Sequence, residues 1–231
     1  MDAKELIARR VALELRHNTL VNLGIGLPTM VSNYVPSGIT VHFQSENGII
    51  GFGAAPPEGM EAADLTDAGG RFVSALPGAV AFDSAMSFAL IRGGHLDMTV
   101  LGGLQVDERG WLANWMVPGK MVPGMGGAMD LVSGARRVIA AMIHTQKGVA
   151  KIVPELTLPA TAARPVTLVV TDMAVLMPTP EGLVLRERAP GVTVAEIIAA
   201  TAARLIVPGE VPEMTLGAPT VPGAPGVAVP I

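Results

Sequence analysis

The sequence predicts an α/β fold: an open, largely parallel sheet flanked by helices, with a C-terminal β-hairpin region. Three observations support this fold class. Short apolar, strand-like runs alternate with helix-like segments along the chain. Residues 138–143 are continuously apolar, as expected for a strand that is covered on both faces. Two later runs, 174–177 and 183–185, are separated by the Pro- and Gly-containing segment 178–182, a pattern typical of a hairpin.

Each expected helix begins at a residue type that favours a helix start. Asp2 is followed by Glu5 at the spacing of a capping box. Pro28 suits the first turn of a helix, where its missing N–H breaks no hydrogen bond. Asp83 can cap a third helix, which Gly93-Gly94 ends. The expected helices run from Asp2 to about Arg16, from Pro28 onward, from Asp83 to Ile91, and from Thr193 to about Arg204.

The expected strands are short runs rich in β-branched and other apolar residues. Their bounds are 20–23, 39–43, 71–74, 98–101, 137–143 and 166–170. Together with the hairpin, they are expected to form one domain over residues 1–207. The last 25 residues contain six Pro and four Gly, too many for a packed element. Residues 208–231 are therefore predicted to be an extended or disordered tail.

Composition excludes several classes of function. The formal net charge is −4 and there is no basic tract, which argues against a nucleic-acid-binding protein. The absence of cysteine excludes thiol catalysis, disulfides and thiolate metal sites. The four histidines lack the spacing of a metal site, so no metal is expected. The N-terminus has no signal-peptide pattern, and the apolar stretch 111–129 contains Lys120 and six Gly and Pro residues. We therefore expect a cytoplasmic protein without a membrane span.

The glycine-rich loops do not form a nucleotide-binding motif. After Gly51-Phe52-Gly53, Pro56 occupies the position at which a dinucleotide-binding motif needs its third glycine. After Gly124-Met125-Gly126, Met129 occupies that position. The phosphate-binding pattern Gly-x-x-x-x-Gly-Lys-Ser/Thr is absent from the sequence. These loops must therefore serve another purpose.

Glu46 is the strongest candidate for a functional side chain. It follows the strand-like run 39–43 and precedes a glycine-rich turn. Strand ends in open α/β sheets face the crevice where such folds bind ligands. Small residues can also leave backbone N–H groups unobstructed for an oxyanion hole, and they are concentrated in three loops, 24–26, 48–53 and 124–127. From the pattern alone, a glutamate in this position is more often a turn or cap residue than a catalytic one.

Four blocks of the chain occur in an order that is specific to a known family. They are Asn22–Gly53, Ile91–His95, Leu101–Val106 and Leu112–Leu131. The first block contains Ser45-Glu46-Asn47-Gly48, which is similar to the family's signature. Together the blocks resemble the B subunit of class I 3-oxoacid CoA-transferases. The resemblance covers roughly residues 3–207.

The resemblance implies that Glu46 attacks an acyl-CoA thioester and carries first the acyl group and then CoA as covalent intermediates. A carboxylate is ionised at pH 7, so this attack needs no general base. The resemblance further implies that the backbone N–H of Gly127, with that of Gly126 less directly, stabilises the oxyanion. The loop Gly24-Ile25-Gly26 would line the acyl site. The remaining residues expected along bound CoA are Asn47, Gly48, Gly51 and Gly53.

The implied substrates are an acyl-CoA, such as succinyl-CoA, and a 3-oxo acid, such as acetoacetate or 3-oxoadipate. Coenzyme A would be a co-substrate, with no permanently bound cofactor. The family's A subunit is a separate chain that helps to bind CoA, so an A2B2 heterotetramer is implied. Two alternatives stay open. One is an acyl-CoA hydrolase or lyase on the same scaffold, and the other is a non-catalytic subunit or sugar-phosphate-binding relative in which Glu46 is structural.

Overall fold

The computed structural model describes residues 1–119 and 124–219. Within these ranges the helices are α1 (Ala3–Ala12), α2 (Ser84–Arg92), α3 (Ala128–Gly134) and α4 (Val194–Ala200), together with a 3-10 helix at Leu27–Tyr34. The strands are β1 (Thr19–Leu23), β2 (Val41–Ser45), β3 (Ile49–Phe52), β4 (Ala75–Ala81), β5 (Met98–Leu101), β6 (Gln105–Asp107), β7 (Leu112–Ala113), β8 (Arg137–Ala141), β9 (Thr145–Gln146), β10 (Val149–Ala150), β11 (Ile152–Val153), β12 (Leu168–Val170), β13 (Ala174–Thr179), β14 (Gly182–Arg188) and β15 (Leu205–Ile206).

A ten-stranded sheet with the order β15-β14-β13-β12-β8-β5-β1-β2-β3-β4 organises the molecule. The strands from β12 to β2 in this order all pair in parallel. Antiparallel pairs flank them, β2-β3-β4 on one side and β12-β13-β14 on the other. The predicted fold class is confirmed, including the C-terminal hairpin, which β13 and β14 form. Smaller sheets are β10-β9 and β11-β6-β7.

The two faces of the sheet are covered by different helices. Alternate residues of β8 point to opposite faces, with Ile139 in one apolar cluster and Val138 in the other. Helix α1 and the 3-10 helix bury apolar side chains in the first cluster. Helices α2, α3 and α4 contribute Ile91, Leu131 and Ile197 to the second. Because both faces are covered, β8 is continuously apolar from Val138 to Ala141, as predicted.

Helix starts were predicted better than helix ends. Asp83 caps α2 by accepting a hydrogen bond from the N–H of Met86, and Thr193 forms a capping box at α4. Asp2 precedes α1 but makes no side-chain capping bond, so the capping box predicted there is wrong. Glu5 approaches Arg9 instead, at 3.5 Å. Helix α4 ends at Ala200 rather than near residue 204, because the Thr201 backbone is extended; the Thr201 hydroxyl donates to the Ile197 carbonyl and also bonds to His144.

The strand predicted at 71–74 is wrong. Residue 72 makes only an isolated bridge to Thr66, and the strand begins at Ala75. Arg71 is held instead in a tight turn, where its side chain bonds to Asp67. Strand β4 contains Pro77 and Gly78, which intrinsically disfavour strands. They are tolerated because β4 lies at the edge of the sheet, where one side of the backbone needs no strand partner.

The first part of the predicted tail lies against the domain. Arg188 exchanges backbone hydrogen bonds with Pro212 and Met214, and the Met214 side chain is buried. Further along, the Arg9 Nε donates to the carbonyl of Gly217 at 2.6 Å. The tail residues 220–231 lie outside the described ranges, and the boundary at residue 207 stays a prediction. Over the described part of the chain, no helix has both the length and the apolar character needed to cross a membrane.

Candidate active site

Glu46 lies at the tip of the hairpin between β2 and β3. Ser45 and Ile49 pair across this hairpin, and the N–H of Gly48 donates to the carbonyl of Ser45 at 3.0 Å. Glu46 thus follows the carboxyl end of β2, which runs parallel to β1. Gly48 has φ +126°, and a Cβ atom there would lie 2.0 Å from the carbonyl oxygen of Phe82. Only glycine therefore fits the turn that presents Glu46.

A buried polar network orients the Glu46 carboxylate. Asn22, at 0 % exposure in β1, donates from Nδ2 to Glu46 Oε2 at 3.0 Å and to Gln44 Oε1 at 3.0 Å. The Thr99 hydroxyl donates to Asn22 Oδ1 at 3.3 Å, and Gln44 Nε2 donates to the Ser87 hydroxyl at 2.9 Å. Each of these side chains forms a hydrogen bond with another side chain of the network, which holds the network in one arrangement. Glu46 consequently has a defined orientation without a charged partner among the described residues.

The loop 124–127 approaches Glu46 from α3. A Cβ atom on Gly127 would lie 3.4 Å from Glu46 Cγ and 3.3 Å from the Phe88 ring, so Gly127 faces both side chains with little space between. Gly126 has φ +54° with open space beside it. Among the described residues, the backbone N–H groups of Gly126 and Gly127 have no acceptor. Two backbone N–H groups without an acceptor among the described residues therefore lie on a loop beside the Glu46 side chain, and their role as an oxyanion hole stays a prediction.

An open cleft of about 560 Å³ connects these parts of the site. Glu46 lines it together with Gly24 and Ile25, and the role of the loop 24–26 in binding the acyl group stays a prediction. Gly26 has φ +86° and starts the 3-10 helix, and it does not line this cleft. The other lining residues are Leu101, Gly102, Gly103, Leu104, Asn114, Trp115, Leu131 and residues 124–128.

Lys151 contacts a residue that lines the cleft, Gly103. Its Nζ donates to the carbonyl of Gly103 at 2.8 Å. Burial lowers the pKa of Lys151, and the nearby Asp172 carboxylate acts in the opposite direction. Lys151 does not line the cleft. Its hydrogen bond to the Gly103 carbonyl holds the segment Gly102-Gly103 in place.

Four of the residues expected along CoA have packing contacts in the structure. A Cβ on Gly51 would lie 3.2 Å from Ala79 Cα, and one on Gly53 would lie 2.9 Å from Leu76 Cδ2. Both glycines thus make room for β4. The Asn47 side chain donates to the carbonyl of Thr66 at 2.7 Å, and Gly48 packs on Phe82 as described above. Their roles in binding CoA stay predictions.

Some residues near Glu46 were not singled out from the sequence. Asn22 orients the carboxylate, and Arg71 and Asp67 line a smaller pocket that also contacts Glu46. The one available signal was Asn22 itself, a polar residue inside an otherwise apolar strand. Nothing in the sequence near Arg71 predicts its proximity to Glu46, because the loop 65–71 reaches the site only through tertiary contacts.

A comparison with protein-family models identifies the family. The model described as Coenzyme A transferase matches residues 4–200. The chain belongs to the coenzyme A transferase family. It is 58 % identical over 205 residues to the beta chain of the acetate CoA-transferase of Escherichia coli K12, covering 88 % of this chain and 94 % of the relative. It is 49 % identical over 195 residues to the B subunit of the succinyl-CoA:3-ketoacid coenzyme A transferase of Helicobacter pylori 26695, covering 84 % and 94 %.

A solved structure has the same fold. The glutaconate coenzyme A-transferase of Acidaminococcus fermentans superposes with a TM-score of 0.71 at 17 % identity, covering 95 % of this chain and 91 % of that one. The predicted family and the prediction of a CoA-transferase enzyme are confirmed by the family match and the relatives. CoA-transferases use coenzyme A as a co-substrate, which agrees with an open cleft beside Glu46.

Proposed function

We propose that this chain is the catalytic B subunit of a CoA-transferase and that Glu46 is its nucleophile. The observation that carries the proposal is the setting of the Glu46 carboxylate. Within the described residues it accepts a hydrogen bond from the neutral Asn22 and forms no salt bridge, and its side chain adjoins the loop of Gly126 and Gly127, whose N–H groups have no described acceptor. An ionised carboxylate in this setting is oriented for attack and keeps lone pairs available.

The proposed reaction transfers CoA from one carboxylic acid to another through two covalent intermediates on Glu46. A Glu46 oxygen attacks the acyl-CoA thioester carbon, and the C–S bond breaks to give an acyl-glutamyl anhydride and CoA thiolate. The thiolate attacks the glutamyl carbonyl carbon and releases the acyl carboxylate, which leaves a glutamyl-CoA thioester. An acceptor carboxylate then reverses both steps and leaves as the new acyl-CoA. No proton is gained or lost overall, so the mechanism needs no general base.

Each step passes through a tetrahedral intermediate with a negatively charged oxygen. The N–H of Gly127 is the proposed first donor to this oxygen, and the N–H of Gly126 the second. The close approach of the Gly127 backbone to the Glu46 side chain supports this assignment, because the oxygen develops on carbonyl carbons at or next to the glutamyl group. Losing one such donor typically costs about 10²–10³ in rate.

The proposed substrates are an acyl-CoA, with succinyl-CoA as donor, and a 3-oxo acid as acceptor. The name of the Helicobacter pylori relative supports this pair, while that of the Escherichia coli relative favours acetate as a participant. We further propose a separate A subunit, an A2B2 assembly and a cytoplasmic location. The partner assignment is supported by the names of these relatives, since each is designated as one subunit of its enzyme.

Co-expression with an A-subunit chain tests the proposal. The assembled complex should transfer CoA from succinyl-CoA to acetoacetate, and this chain purified alone should be inactive. Release of free CoA without an acceptor would instead indicate a hydrolase. Robust transfer by the single chain would contradict the need for a partner. Absence of transfer by the complex with any acid would contradict the catalytic assignment.

A further inference from the structure

A second, narrower pocket adjoins Glu46. Its walls are mostly apolar, with Leu23, Phe43 and Phe52 among them. The loop 65–71 contributes polar lining residues, and Arg71 is the one cationic side chain among the described lining residues. The pocket has a volume of about 30 Å³, and Glu46 lines both it and the open cleft, so only the outer atoms of a short acyl group bonded to Glu46 extend into it while CoA occupies the cleft.

Both neighbours of Glu46 hold the loop 65–71 in place. The Ser45 hydroxyl accepts from the N–H of Ala68 at 2.8 Å, and Asn47 Nδ2 donates to the carbonyl of Thr66 at 2.7 Å. Ser45 and Asn47 therefore have a common role. They fix the distance between the nucleophile and the loop that carries Arg71.

Asp67 fixes the Arg71 guanidinium. The Asp67 side chain is 7 % exposed, and its Oδ1 accepts from the N–H groups of Gly69 and Arg71 at 2.8 and 3.0 Å. Its Oδ2 accepts from Arg71 Nε at 2.9 Å and Nη2 at 2.6 Å. The guanidinium is thus held along one edge, which leaves the other edge for a different acceptor.

The second edge of Arg71 is nearly unused. Its Nη1 has one contact in the described structure, to the Thr29 hydroxyl at 3.4 Å, which is at the long limit for a hydrogen bond. At least one Nη1 N–H is therefore available to a ligand. The Asp67 carboxylate offsets the positive charge of Arg71. Arg71 can therefore bind an uncharged oxygen of a ligand through a hydrogen bond, and the ligand needs no negative charge.

We propose that Arg71 selects acyl groups that carry an oxygen beyond the reacting carboxyl carbon. A 3-oxo group and a distal carboxylate both present such an oxygen, and an unsubstituted fatty acyl chain does not. This inference rests on the proposed function, because it assumes that the acyl group is bonded to Glu46. It makes Arg71 a specificity-determining residue and leaves the chemistry to Glu46.

Arg71→Met tests the proposal in the assembled complex. The acceptors to compare are acetoacetate and butyrate, which have the same chain length and differ by the 3-oxo oxygen. We expect kcat/KM for acetoacetate to fall about 10–100-fold, since a site built to bond a polar group discriminates through that bond. For butyrate it should change less than about threefold, since no bond is lost. Arg136→Met is the matched control: Arg136 is an exposed arginine paired with Asp97 near the amino end of β8, and this variant should alter neither rate.

A second variant covers the case in which Arg71→Met destabilises the loop. Arg71→Lys keeps the positive charge but lacks the planar guanidinium, which can bind Asp67 along one edge and a ligand along the other. This variant should therefore also lose the preference for acetoacetate. Equal losses for both acceptors, or no loss for either, would overturn the proposal while transfer itself continued. Failure of the proposed function is different, since the wild-type complex would then transfer CoA to neither acid.

Discussion

Two partly buried glutamates lie at opposite ends of the parallel strands, and they differ in their partners. Glu14 is bonded to Arg137, the first residue of β8, at 2.6 Å and to Arg10 at 2.9 Å. Burial disfavours ionisation of Glu14, but the hydrogen bonds from Arg137 and Arg10 outweigh it, and the pKa of Glu14 lies below its usual value. Glu46 follows the carboxyl end of β2, and among the described residues its carboxylate is bonded by the neutral amide of Asn22 alone.

The difference shows how the fold separates stability from chemistry. A carboxylate between two guanidinium groups has its lone pairs committed and is held in its ionised form. A carboxylate held by one amide keeps lone pairs for an electrophile. Glu46 lies beside the glycine loops at the carboxyl end of β2, whereas Glu14 lies in an ion-pair cluster at the amino end of β8.

Glu46→Gln should have the largest effect. It removes the nucleophile but keeps the shape, so transfer by the assembled complex should fall by roughly 10⁴-fold or more. The free energy of unfolding should change by less than about 1 kcal/mol, since the carboxylate has no ion pair to lose within the described residues. Steady-state exchange and denaturant unfolding measure the two effects. Retained transfer would mean that Glu46 is structural.

His144 gives a third ionisable group, completely buried and enclosed by protein. Its ring nitrogens lie 2.9 Å from the Thr171 and Thr201 hydroxyls. Burial, with a smaller contribution from Lys151, lowers the pKa of His144 from 6.5 to about 4, against the attraction of Asp172. The unfolded chain therefore binds a proton below pH 6.5 that the native state does not bind until about pH 4. Stability from this group is complete above pH 6.5 and is lost progressively as the pH falls towards 4.

The expected loss from His144 is about 3 kcal/mol over that pH range. His144→Gln removes the titrating ring, so the difference in unfolding free energy between wild type and variant should narrow by this amount between about pH 7 and pH 4. Urea unfolding at each pH measures it. A constant difference between wild type and variant would show that His144 is not held neutral.

Glu14→Gln should mainly affect stability. It leaves Arg10 and Arg137 without their shared carboxylate, and the side chain of Glu14 is 20 % exposed, so we expect a loss of about 2 kcal/mol in unfolding free energy. Transfer by the folded complex should be unchanged. Glu5→Gln is the matched control, because its ion pair with Arg9 is longer and more exposed and should contribute less than about 0.5 kcal/mol. Loss of transfer in folded Glu14→Gln would remove the contrast between the two glutamates.

Asn22→Asp should give a smaller effect that appears in the pH profile. It places a second carboxylate about 3 Å from Glu46, which raises the pKa of the pair. Transfer at pH 7 should fall about tenfold, and the acidic limb of the rate profile should move to higher pH. Asn18→Asp, an exposed change before the same strand, is the control. An unshifted profile would mean that Asn22 does not orient the nucleophile.

Much of the fold could be predicted from local sequence. The apolar runs of β1, β5 and β8 and the caps at Asp83 and Thr193 depend on neighbouring residues, so their patterns are visible in the sequence. Strand β4 was missed because Ala, Pro and Gly give no strand signal, and its pairing with β3 comes from tertiary contacts. Strand β3 was likewise hidden inside what was predicted as a glycine-rich loop.

The candidate site divides in the same way. Glu46 and Gly127 could be proposed because short motifs surround both residues, and the structure brings the two motifs close together. The orienting bond from Asn22 crosses between strands, and Arg71 reaches the pocket through a loop held by Asn47 and Ser45. Such contacts depend on the order of strands in the sheet, which no single segment of sequence encodes.

Covalent trapping tests the central claim most directly. The assembled complex is incubated with succinyl-CoA without acceptor, treated with borohydride, which reduces a glutamyl thioester, and analysed by peptide mass mapping. We expect modification at Glu46, none at Glu14, and none anywhere in Glu46→Gln. An unmodified Glu46 in a complex that transfers CoA would contradict it.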